Sequence, residues 1–195
     1  RPKSSAASDV YKRQINHLDV APMYGDGEAE SVVGEVFQGK EINGIKITTK
    51  CRLGTLPDEE VYDHLNSSLT QSLDYLNMER VDLFLLHTQL REDDFQLQVL
   101  NKHRDAVSTS LSCYFNAAIP AFERLKAEGK IGSWGIGGMG QNKAIIEAIN
   151  HTTPPEAIQC VVNPLNSAGA IGYVDKDYDP NSILEASQKA DIPIL

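Results

Sequence analysis

Four residues of unlike chemistry, Asp19, Tyr24, Lys50 and His87, fall within or beside apolar, strand-like runs. Asp19 lies inside INHLDVA (15–21), Lys50 closes IKITTK (45–50) and His87 closes VDLFLLH (81–87). Tyr24 opens the loop Tyr24-Gly25-Asp26-Gly27, five residues after Asp19. A phenol, with an ordinary pKa of about 10, is a poor proton donor at neutral pH. An ammonium beside it favours the phenolate, and a carboxylate keeps that ammonium charged and oriented. A neutral imidazole donating to a carbonyl oxygen would place and polarise it. Together the four suit proton delivery to an oxygen that becomes an alkoxide, as in carbonyl reduction. Taken singly, each has a plainer structural reading: a solvated edge lysine, a hydrogen-bonded rim histidine, a packed loop tyrosine, a structural ion pair. An aspartate between Leu18 and Val20 is expected to be buried and to need a cation, for which Lys50 is the evident partner.

These side chains can meet only if the runs that carry them are neighbours. From Ile15 onward, short apolar runs alternate with helical patterns. Strands are expected over 15–21, 45–50, 81–87, 131–137, 157–163 and 192–195. Helices are expected over 28–38, with Val32, Val33, Val36 and Phe37 on one face, and along Val61, Leu65, Leu69, Leu73 and Leu76. Thr55-x-x-Asp58 around Pro57 reads as the start signal of the second. Further helices run through Ala118, Ile119, Phe122 and Leu125 to a stop at Gly129, over 143–150, and over 182–189. Such alternation specifies right-handed βαβ crossovers and a parallel sheet, either an open doubly wound sheet or a (β/α)₈ barrel. In both, the carboxyl ends of the strands form the ligand-facing rim. There Asp19, Lys50 and His87 should converge, with Gln159 and Asn163 in the fifth run. The polar stretch 88–116 breaks the rhythm. A loop of that length is usually functional or disordered, and its Arg91, His103, Arg104 and Tyr114 are candidates for binding a polar substrate.

Composition narrows the function classes. The 195 residues carry a net charge of −9, which speaks against nucleic-acid binding, because phosphate contacts need clustered Lys and Arg. No stretch approaches ~18 apolar residues, so no membrane span is expected. Cys51, Cys113 and Cys160 stand far apart with no CxxC pair, so no metal site is expected and a reducing, cytoplasmic setting is. Residues 1–14, RPKSSAASDVYKRQ, hold four basic residues and one acidic and follow no structural period. They resemble the translation of a cloning or sequencing adapter, the alternative being a disordered tail. The folded domain is accordingly expected over 15–195.

The stretch Asp19-Val-Ala-Pro-Met-Tyr24-Gly25 resembles the D-x-A-x-x-Y-G signature of the aldo-keto reductases. Ile47-Thr-Thr-Lys50 looks like that family's lysine strand and Leu85-Leu-His87 like its histidine strand. Leu125–Ile131 is similar to its fourth helix running into its fifth strand, and Gln159 with Asn163-Pro164 to its sixth strand. The resemblance implies an α/β fold, a (β/α)₈ TIM barrel that reduces aldehydes or ketones with NADPH, NADH remaining open. It implies that Asp19, Tyr24, Lys50 and His87 are catalytic, with Tyr24 as general acid, and that Gln159 holds the nicotinamide carboxamide. The partner implied is a small carbonyl compound, with no obligate protein partner. Where the family usually shows Ser-Asn after the fifth strand, Gly137 and Gly138 stand here, so backbone N–H groups would bind the carboxamide instead. The chain looks like the second strand through the start of the seventh, an incomplete barrel with two bare parallel edges, inactive by itself. Two other readings are a barrel enzyme with a Schiff base on Lys50 and a non-enzymatic nucleotide-binding relative. A Schiff-base lysine must be neutral, which Asp19 opposes.

Overall fold

Alternating burial decides the elements that form. A computed structural model describes residues 15–38, 44–163, 165, 175 and 177–195. The first fourteen residues and Pro164 lie outside the described residues. Three short strands open the sheet: β1 (His17–Asp19), β2 (Lys46–Cys51) and β3 (Val81–Leu86). Five of the six residues of β2 and five of the six of β3 are buried, as strands covered on both faces require. With β6 (Ile131–Ile136) they form one parallel sheet in the order β1-β2-β3-β6. Two single-residue parallel bridges, Ile136 to Ile158 and Ile158 to Ile194, extend it. The sheet therefore follows chain order through six parallel segments, the arrangement of part of an α/β barrel.

Helices cover this sheet. α1 (Glu28–Phe37) and α2 (Asp58–Leu76) pack on each other and on the strands. α2 buries Val61, Leu65, Leu69 and Leu76, the stripe the sequence predicts. α3 (Ile119–Ala127) follows a π-helical turn at Tyr114–Ala118 and buries Phe122 between Phe84 and Trp134, with ring centroids 5.7 and 5.3 Å apart. α4 (Asn142–Ile149) and α5 (Pro180–Lys189) complete the longer helices.

Several expectations need correction. Thr55 does not cap α2, whose N-cap is Pro57 with no side-chain bond. The Thr55 hydroxyl instead donates to Ser108 O at 3.0 Å and accepts from the Ser110 N–H at 2.9 Å, tying the chain before α2 to the 88–116 region. The strands expected over 157–163 and 192–195 reduce to Ile158 and Ile194. For the first of these, the cause lies in its neighbour. Past Ile136 the chain turns away at Gly138, in the left-handed region at φ 46°, and no longer runs alongside residues beyond Gln159. A Cβ at Gly138 would stand 2.5 Å from Gln159 O, so the close approach needs glycine as well.

The 88–116 stretch is ordered. β4 (Gln89–Arg91) lies between β5 (Ser108–Ser110) and β7 (Met139–Gly140) in a small parallel sheet, in which β4 and β7 begin three residues beyond the ends of β3 and β6. Arg91, a substrate-binding candidate by sequence, is a buried anchor. Its guanidinium donates to Asp105 at 2.5 Å, Ser108 Oγ at 2.9 Å and Asp93 O at 2.7 Å. Polarity along this segment misleads because its polar groups satisfy one another.

Candidate active site

The register of the strands places their carboxyl ends on one rim. The Val20 N–H donates to Thr48 O at 3.0 Å, His87 N–H to Cys51 O at 2.7 Å, Gly137 N–H to Leu86 O at 2.9 Å and Gln159 N–H to Ile136 O at 2.9 Å. Asp19, Lys50, His87, Gly137 and Gln159 therefore arrive at the same edge from successive segments. Tyr24 returns to it through a tight turn: its N–H donates to Ala21 O at 3.0 Å, and Gly25 and Gly27 adopt positive φ before α1 begins. α1 is fastened by a bond that sequence reasoning does not reveal. Glu30 in its first turn is fully buried and accepts from the Thr49 hydroxyl at 2.5 Å, while Glu30 Oε2 has no hydrogen-bond partner. A glutamate in the first turn, just after the loop, is the sequence signal that could have marked it.

Lys50 is the centre of the rim. Its Nζ is 2.7 Å from Asp19 Oδ1, 3.1 Å from Val20 O and 3.1 Å from the Tyr24 hydroxyl. These three oxygens match the three N–H bonds of an ammonium. Burial is the reverse of the sequence expectation: the Lys50 side chain is fully buried, while Asp19 is 37% exposed. Asp19 sits on β1, the edge strand of the described sheet, whereas β2 is flanked on both sides. Tyr24 is 40% exposed, so its hydroxyl is reachable from outside. Because Lys50 donates to the phenol oxygen, the phenol hydrogen remains free to be donated outward. An amine engaged this way has no lone pair with which to attack a carbonyl, which weighs against a Schiff base on Lys50.

His87 is half-buried, and its Nδ1 is buried with no hydrogen-bond partner. Burial first, then repulsion by Lys50 and Arg52, holds the imidazole below its usual value of 6.5, with Asp19 opposing. Neutral imidazole is therefore the form present at neutral pH. An NMR titration of His87 should show a midpoint below 6.5, and Arg52→Gln should move it upward; a midpoint above 6.5 would contradict the geometry. The folded form takes up the proton less readily than the unfolded chain. His87 thus contributes stability above pH 6.5 that is lost as pH falls through the folded value.

Gln159 reaches the same group. Its Nε2 donates to Asp19 Oδ2 at 2.9 Å, so Asp19 is shared between Lys50 and Gln159. Gly137 cannot offer its amide elsewhere, since that N–H is bonded to Leu86 O. Next to His87 is a cavity of about 300 Å³ with Leu100, Ala106 and Val107 on its wall, so the 88–116 segment does border the site. Arg91, His103, Arg104 and Tyr114 are not among the lining residues. Tyr114 is fully buried under the π-helical turn, where burial pushes its phenol up.

A parallel α/β sheet with this rim matches known proteins. The model of the aldo/keto reductase family matches residues 4–195, and the chain belongs to that family. It is 28% identical over 149 residues to a D-threo-aldose 1-dehydrogenase of Pseudomonas, a match covering 64% of this chain and 40% of that protein. It is 34% identical over 110 residues to aflatoxin B1 aldehyde reductase member 2 of Rattus norvegicus, covering 53% of this chain and 30% of the relative. Among solved structures, an aldo/keto reductase of Klebsiella pneumoniae in complex with NADP and acetate aligns at TM-score 0.60 and 24% identity, over 92% of this chain and 51% of that one. An aldo-keto reductase of Bacillus halodurans aligns at TM-score 0.65 and 19% identity, over 96% and 54%. The fold is thus that of the aldo-keto reductase barrel, present here in part. The chain spans about half the length of these solved proteins and less than half of the curated relatives it matches.

Proposed function

We propose that the protein carrying this chain reduces an aldehyde or ketone to an alcohol with NADPH, Tyr24 being the general acid. The observation that carries it is the 3.1 Å bond from Lys50 Nζ to the Tyr24 oxygen, with Asp19 2.7 Å behind the ammonium. The ammonium stabilises the charge that the phenol oxygen acquires as its proton leaves. Asp19 fixes the ammonium, and neutral His87 donates to the carbonyl oxygen and orients it. When bound, a reduced nicotinamide supplies the hydride. The rim fits a carboxamide: Gln159 carries a matching amide at the mouth, beside Lys50 and Asp19. Of the two glycines, Gly137 donates its amide to Leu86 O, whereas the Gly138 amide makes no backbone hydrogen bond among the described residues, and the relatives solved with NADP or NADPH favour that cofactor over NADH. The free thiols Cys51, Cys113 and Cys160 support a cytosolic location. No described helix is long and apolar enough to cross a membrane.

The test is loss of reduced-nicotinamide absorbance with a panel of aldehydes and ketones. Consumption that requires both NADPH and a carbonyl compound supports the assignment. Tight NADPH binding without oxidation would instead make the protein a non-enzymatic nucleotide binder.

A further inference from the structure

One charge at the mouth has no role in the chemistry above. Eight of the described lysines and arginines stand in ion pairs; Arg52, like Arg80, Lys102 and Lys189, has no ion pair among the described residues, although the chain is acidic overall. Arg52 is exposed and lies just beyond the end of β2, two residues after Lys50. Its backbone is held by His64, whose Nε2 is 2.8 Å from Arg52 O. It borders the ~300 Å³ cavity that His87 also lines. Leu53, Leu100, Val107 and Met139 make much of the wall, and no carboxylate lines it. The repulsion Arg52 exerts on His87 agrees with this proximity.

An unpaired guanidinium on a wall of mixed polarity that holds no carboxylate is a ready counter-charge, since it is weakly hydrated and matches a carboxylate in bidentate fashion. We propose that Arg52 makes this site selective for carbonyl compounds that carry a carboxylate, the acid group seated on Arg52 and the carbonyl oxygen turned to His87 and Tyr24. The cavity lies at the small end of ligand pockets, so the class is a small oxo acid. Arg52 was not evident from the sequence, where it reads as one more surface cation. Only the cavity distinguishes it.

This inference rests on the proposed carbonyl reduction, and the experiment separates the two. Binding of 4-formylbenzoate and of its neutral methyl ester is measured by calorimetry, and turnover of both with NADPH is followed in parallel, for wild type, Arg52→Gln and Arg52→Lys. The acid should bind about ten- to a hundredfold more tightly than the ester, with a similar preference in kcat/KM. Arg52→Gln should bring that ratio close to one, Arg52→Lys should keep part of it, and added salt should shrink it. A ratio near one in wild type, or one that survives Arg52→Gln, would overturn the proposal; so would weaker NADPH binding in Arg52→Gln with the ratio intact. If the acid is preferred in binding through Arg52 but neither compound is reduced, the anion site stands and carbonyl reduction fails. If both are reduced alike, reduction stands and the anion site fails.

Discussion

Tyr24→Phe is expected to lower the rate of carbonyl reduction by about 10²–10⁴ while leaving NADPH affinity unchanged. The substitution removes one hydroxyl and keeps the ring, 4.7 Å from Lys50 Nζ, so packing at the rim is preserved. What disappears is the donor whose oxygen accepts from Lys50, a bond that leaves its own hydrogen free to be donated. A loss of 10²–10⁴ corresponds to roughly 3–5 kcal/mol in the barrier, well above the worth of a single neutral hydrogen bond at the rim. Steady-state turnover together with a cofactor titration checks it. If cofactor affinity falls in step with the rate, Tyr24 is a structural residue and the assignment of the acid is wrong.

The ion pair behind Tyr24 yields the second large effect, because its two members differ in burial. Lys50→Met removes the fully buried charge itself and substitutes an apolar chain of similar length. Asp19, more than a third exposed, keeps water and the Gln159 amide. Stability should then stay within about 1 kcal/mol of wild type, while turnover falls at least about a hundredfold. Asp19→Asn instead leaves the buried ammonium with neutral acceptors alone, Val20 O, the Tyr24 oxygen and the new amide carbonyl, and with no counter-charge. Removing one partner of a fully buried pair costs about 3–5 kcal/mol, and solvent at Asp19 reduces this to about 1–3 kcal/mol. Both variants should be poor catalysts, but only Asp19→Asn should unfold markedly earlier in denaturant. The opposite order of stability would show that the ammonium does not depend on Asp19.

Much of the site was legible because parallel strands put chemistry at their carboxyl ends. Asp19, Lys50 and His87 each close or nearly close an apolar run, and the structure brings Asp19 and Tyr24 each within hydrogen-bonding distance of Lys50. The stripe Val61, Leu65, Leu69 and Leu76 marked α2 because its period is that of a helix packed on one side. Less legible was the 88–116 region. Its polar residues look solvated in sequence, yet Arg91 donates to both Asp105 and Ser108, 14 and 17 residues away. No local period encodes such a network. Gln159 was noted as a rim residue, but its bond to Asp19 joins positions 140 apart and has no signature in either segment.

The sequence by itself determined the alternation of strand and helix, the order of the parallel segments, and the rim to which Asp19, Tyr24, Lys50 and His87 are brought. Local spacing suffices for these, since side-chain period and short crossovers leave few arrangements open. Tertiary structure alone decided that Lys50, not Asp19, is the buried partner. It also decided that Gly137 spends its amide on the sheet, and that Arg52 overlooks a cavity without a carboxylate to neutralise it. Burial and pairing depend on what arrives from distant parts of the chain, and no run of neighbouring residues carries that information.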